Sequence, residues 1–207
     1  GVLGVAASGA QAADVWLDWL GFEPKIDMAW AMAGYAGPDA LTASDYLFFK
    51  HSVKSKMETI YGGYSVTFVD TVSAPSTTHE KIHFGSSTSS TTAFGAPSGI
   101  YWRNKRKDDH AHLFLKNFSP VILPGSYTRM ENLERLSTAI AGTASHELGH
   151  NMGLQHFDAY GLTSIKAPGY GGITGQQNGS IMATGPTGLT SAMRGDARFF
   201  NQLEMLK

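Results

Sequence analysis

Apolar residues recur along this chain with two periods, and the two periods predict different elements. Val15-Trp16-Leu17-Asp18-Trp19-Leu20 is rich in aromatic and branched side chains and predicts a short first strand. Tyr64, Val66 and Phe68 alternate with polar neighbours, which predicts a second strand to about Asp70. Lys81-Ile82-His83-Phe84 is a weaker third candidate, and Ala111–Phe118 (AHLFLKNF) is a fourth. Helical spacing appears in Phe49, Val53, Met57 and Ile60, so a helix is predicted to start at a Thr42 or Ser44 cap and run to about Tyr61, where Gly62-Gly63 ends it. Leu133, Leu136, Ile140 and Leu148, with the helix formers Ala139, Ala141 and Ala144 among them, predict a second helix over 131–152. A C-terminal helix is predicted from near Thr190 or Ser191. The stretch through Pro24, Gly34, Gly37 and Pro38 reads as loop, with an apolar piece at Ile26–Ala33 that fits no element firmly. Residues 85–99 read as a serine, threonine and glycine loop, and the chain after Phe157 as mostly glycine-rich loop.

Composition narrows the class. A chain of 207 residues with 42% hydrophobic content can build one sizeable core, which implies a single domain. The formal charge is −1 and no block of like charges occurs. Arg103, Lys105, Arg106 and Lys107 are followed at once by Asp108 and Asp109, a solvated turn and not a nucleic-acid patch. No run reaches the roughly 18 apolar residues of a membrane span. The absence of cysteine removes disulfides, thiolate-ligated metals and any thiolate latency switch from within this sequence. Gly1–Ala12 is small, apolar and ends in Ala10-Gln11-Ala12, an A-x-A pattern. It resembles the end of a secretory signal peptide, which gives the expectation of a secreted or periplasmic protein; the alternative is an apolar N-terminal arm or strand.

The candidate chemistry lies in His146-Glu147-Leu148-Gly149-His150-Asn151-Met152-Gly153-Leu154-Gln155-His156, an H-E-x-x-H-x-x-G-x-x-H sequence. Residues four apart share a helix face, so His146 and His150 can converge on one ion. Glu147 is rotated to the flank, within reach of a water as general base. Gly153 can end the helix in the left-handed conformation and return His156 as a third ligand. Three neutral nitrogens with one open position is a hydrolytic zinc set. The plain alternative is three histidines decorating a helix.

With Ser180-Ile181-Met182-Ala183 downstream of a glycine-rich loop, the chain resembles the metzincin clan of zinc endopeptidases. The resemblance covers roughly residues 14–207, although only the two motifs are specific. It implies an α+β zincin-like domain: a twisted mixed sheet with two long helices in an upper subdomain to about residue 153, and a loop-rich lower subdomain, 154–207, with a C-terminal helix. It implies His146, His150 and His156 as Zn2+ ligands, Glu147 as catalytic base, and Met182 as the turn methionine under the metal, in preference to Met193. It implies a protein or peptide substrate laid along an edge strand, by position 111–118, with an interior strand as the alternative. Thr184 stands where two metzincin families carry a tyrosine ligand, and Phe157 replaces the serine of matrix metalloproteinases, so the family stays open.

Other polar residues carry less. Asp158 can orient a ligand from behind or cap a turn. His79, His83, His110 and His112, with Asp108 and Asp109, form a second metal-capable group weighed against ordinary surface histidines. Asp196 is read as lying just inside the last helix, where the helix dipole accounts for it. The leading function is zinc endopeptidase. The alternatives are a zinc hydrolase of the same fold with a narrow target, such as a cell-wall peptide, and a non-catalytic binding protein on this fold.

Overall fold

The computed structural model describes residues 13–100, 106, 108–156, 179–183 and 189–200. The signal-like start at 1–12, Arg103, Lys105, Lys107, Phe157, Asp158 and Thr184 lie outside the described residues. Among the described residues the architecture is α+β: one five-stranded mixed sheet and four α-helices.

The strands are β1 (Ala13–Asp18), β2 (Val66–Val69), β3 (Glu80–His83), β4 (Gly95–Pro97) and β5 (His110–Leu113), in the order β2-β1-β3-β5-β4. β1 pairs in parallel with β2 and β3, and β3 with β5, whereas β4 runs antiparallel to β5 along the outer edge. Val15, Leu17, Ile82, Ala111 and Leu113 are fully buried, as strands under packed helices require.

Two differences from the sequence reading bear on the site. Ala111–Phe118 is not one strand: β5 stops at Leu113, and Leu115–Val121, which contains Pro120, winds into a 3-10 turn. Nor is β5 an edge, because β3 and β4 flank it on both sides. Among the described residues the edge on this side of the sheet is β4, inside the stretch read as loop. Gly95-Ala96-Pro97 has no strand propensity of its own and is held extended by pairing with β5.

The helices are α1 (Phe22–Met32), α2 (Ala43–Ile60), α3 (Arg129–Asn151) and α4 (Ser191–Arg194). α1 occupies the unassigned apolar piece. Pro24 sits in its first turn, where a missing N–H costs nothing, and Phe22, Ile26, Ala29 and Trp30 form its buried stripe. α2 and α3 both start with reciprocal capping boxes, Thr42 with Asp45 and Thr128 with Glu131. Asp45 also takes two hydrogen bonds from Arg129, Nη1 to Oδ1 at 3.1 Å and Nη2 to Oδ2 at 2.7 Å. One carboxylate therefore caps α2 and ties it to the first residue of α3. Along their length the two helices press Val53 and Met57 against a row of Leu133, Leu136, Ile140, Ala144 and Leu148, all fully buried. At about 1.5–3 kcal/mol per large side chain, that row fixes α3 to α2 and to the sheet.

α4 begins at Ser191, but it is four residues long, so Asp196 falls beyond its end and not in its first turn. Asp196 is exposed and pairs instead with Arg135 of α3 at 3.6 Å. Among the described residues no helix is long and apolar enough to cross a membrane.

Candidate metal centre

The last two turns of α3 carry His146 and His150 on one face. The helix closes on Gly153, whose φ of 99° lies in the left-handed region. Its N–H bonds to the His150 carbonyl at 2.9 Å, and the Leu154 N–H reaches back to the Gly149 carbonyl at 2.9 Å. This pair of bonds is a Schellman termination, and it reverses the chain so that His156 returns over the helix. The three Nε2 atoms then face one another: His146–His150 3.2 Å, His146–His156 3.1 Å, His150–His156 3.1 Å.

The other side of two rings settles what those atoms are. His146 Nδ1 donates to the Ile181 carbonyl at 2.8 Å and His150 Nδ1 to the Leu154 carbonyl at 2.9 Å. A carbonyl accepts only, so in the neutral rings the proton is on Nδ1 and the Nε2 lone pairs of both face the centre. Burial first, then the charges of the other histidines and Arg198, holds His146 well below the ordinary histidine range, and burial lowers His156 as well. Neutral nitrogens crowded lone pair to lone pair repel unless a cation lies among them. Tetrahedral zinc with bonds of about 2.0–2.1 Å needs ligands about 3.3 Å apart, so the donor set fits it.

Glu147 is almost wholly buried beside this group. Burial pushes its carboxyl up to about 8, against the opposing charges of Arg194 and Arg198. Arg194, in α4, is itself lowered by burial, and its guanidinium stacks 4.2 Å from the Phe94 ring. Gly95 of β4 lies directly on Glu147: a Cβ there would stand 2.8 Å from Glu147 Cγ and Oε1. His146, His150, His156, Glu147, the 92–97 segment and, from further along the chain, Ala183, Leu189, Thr190, Ser191 and Arg194 line a cleft of about 740 Å³, within the range of ligand sites.

Below the histidines Ser180–Ala183 forms a turn, with the Ala183 N–H on the Ser180 carbonyl and the Met182 N–H on Ser180 Oγ. Met182 is fully buried, and a Cβ on Gly149 would stand 2.8 Å from its sulfur. The helix approaches the methionine this closely only because Gly149 has no side chain. The same turn offers the Ile181 carbonyl to His146 and, at 3.3 Å, to the buried Arg198 guanidinium.

The structure thus brings together His146, Glu147, His150, His156, Gly153 and Met182. Gly95, Gly149, Arg194 and Arg198 join them without having been singled out in the sequence. Gly149 was open to notice as the small residue inside the motif; the other three come from segments with no local signal. Of the second histidine group, His83, His110 and His112 cluster. His79 turns away, with Nδ1 on the Thr77 carbonyl and its ring edge-on to Trp16. Asp108 pairs with Arg106, and Asp109 accepts from Ser98. Compared with protein-family models, with curated proteins and with solved structures, the chain matches none.

Proposed function

We propose that this chain is a zinc endopeptidase of the metzincin type, acting outside the cytoplasm. The observation that carries the reading is the triangle of three Nε2 atoms, those of His146 and His150 turned inward as bare lone pairs, with a buried carboxylate beside it in an open cleft. His146, His150 and His156 would hold the ion. Zinc there supplies a Lewis acid that acidifies water and polarises a carbonyl.

The residues supply the rest. Glu147 takes a proton from the attacking water and passes it to the amine as the peptide C–N bond breaks, so one peptide and one water yield a carboxylate and an amine. Its carboxyl, raised to about 8 by burial in the metal-free chain, is drawn back toward ionisation by a nearby cation. The Ile181 and Leu154 carbonyls keep two ligand rings in the binding tautomer.

β4, not β5, is the strand on which a peptide would lie. In its antiparallel pairing, residues 94, 96 and 98 face β5 and Phe114 just beyond it, so the Gly95 N–H and carbonyl and the Pro97 carbonyl point to the side away from β5. An extended chain added there gains backbone hydrogen bonds with little demand on sequence, next to Glu147. Secretion or periplasmic export rests on the signal-like Gly1–Ala12. Elemental analysis should find zinc in the purified protein, and casein cleavage should stop with chelator and return with zinc. Metal-free protein, or cleavage indifferent to chelator, would overturn the assignment.

A further inference from the structure

A second group of histidines stands on the face of the sheet away from α3. β3 and β5 are parallel and in register, with His83 opposite His112 and Lys81 opposite His110. Residues two apart share a face, so His83, His110 and His112 rise from one side while Ile82, Ala111 and Leu113 are buried on the other. His83 Nε2 lies 3.0 Å from His110 Nδ1, and the His83 and His112 rings stack with centroids 4.8 Å apart.

We propose that His83, His110 and His112 bind a divalent transition ion with zinc's preference for nitrogen, as a staple between β3 and β5. Two neighbours orient the rings for it. Asp18, at the end of β1, accepts from His83 Nδ1 at 2.9 Å, which leaves Nε2 unprotonated and turned toward His110. A carboxylate behind a histidine is a recurrent support of zinc ligands. Ser86 Oγ holds His112 Nδ1 at 2.8 Å from the loop above. One nitrogen from each of the three rings lies within 4.8 Å of the others, and rotation of a ring closes that to the roughly 3.3 Å of a zinc site. Water is left to fill the fourth position. Lys81 brings a positive charge nearby, but its ammonium pairs with Asp18 at 3.2 Å and lies over the Trp16 ring at 4.3 Å.

The staple has a place in the architecture. His112 is opposite Ala96 of β4, so an ion there braces the strand that carries the cleft's edge. A chain without cysteine has no disulfide to do this.

Zinc titration of the metal-stripped chain, read by elemental analysis and thermal melting, tests the assignment. The parent chain should take up two ions, and the His83→Ala/His112→Ala variant one, with a smaller rise in Tm on adding zinc. The His146→Ala/His150→Ala variant should keep one ion. Asp18→Asn should weaken the second site about 10- to 100-fold while the first is unchanged. An ion count that His83→Ala/His112→Ala leaves as it was overturns the proposal, even if that count is one. A parent chain with a single ion that this variant abolishes supports the staple and removes the first site instead.

Discussion

Gly95 touches Glu147: any Cβ on this strand residue would stand 2.8 Å from the carboxylate's Cγ and Oε1. The edge strand can pass over the proposed catalytic base only because this position lacks a side chain. Gly95→Ala should therefore displace Glu147 and lower kcat/KM by about 10²-fold, the scale of an ångström-sized misplacement, with zinc content unchanged. Kinetics on a peptide substrate beside a metal assay checks it. Full activity in the variant would show that Glu147 gives way freely and is not held by the strand.

Glu147 itself separates binding from chemistry. Glu147→Gln and Glu147→Ala should keep the metal, since the proposed ligands are the three histidines, and lose about 10²- to 10⁴-fold or more in rate, the usual worth of a general base. Loss of zinc from either variant would mean that the carboxylate supports the ligand set and not the proton transfer.

What the sequence made legible was local. The histidine motif packs its candidate ligands into eleven consecutive residues, and helix periodicity alone decides that His146 and His150 share a face. Gly153 could be placed because a left-handed helix end is a single-residue property. β4 was hidden because Gly95-Ala96-Pro97 becomes a strand through its partner, and α1 because Pro24 stands in its first turn and Gly34, Gly37 and Pro38 follow it closely. Arg198 and Ile181 meet His146 only after long stretches of chain have folded back, and no spacing rule anticipates that. The 111–118 segment misled for a related reason: its apolar run continues past Leu113 into a buried 3-10 turn, where burial and not strand pairing explains Leu115 and Phe118.

Gly149 sets local propensity against packing. Mid-helix, Gly→Ala ordinarily gains about 1 kcal/mol. Here the added methyl would meet the Met182 sulfur at 2.8 Å and Leu154 Cδ1 at 3.4 Å. Gly149→Ala should therefore destabilise the chain by about 1–3 kcal/mol, the range of core overpacking. Met182→Ala in the same chain should recover part of the loss, and the coupling in a double-mutant cycle should be near 1 kcal/mol or more. Denaturant titration of the four proteins measures it; additive effects would show that the two residues do not press on each other.

Asp45 gives a pH signature away from the proposed metal site. The Arg129 guanidinium, followed by the Thr42 hydroxyl and N–H, holds its carboxyl down to about 2, against an ordinary 3.8 and despite burial. A folded-state value below the unfolded one means stabilisation that is complete above about pH 4 and lost as pH falls toward 2. The difference corresponds to ~2 kcal/mol. Asp45→Asn should cost about that much near neutral pH, and the gap between parent and variant should close through the window from about pH 4 to 2. Unfolding of the chelator-treated proteins across that range checks it, since metal loss then cannot imitate the effect. A gap that stays constant with pH would assign Asp45's contribution to the shape of its hydrogen bonds at the helix start, with no share for its charge beside Arg129.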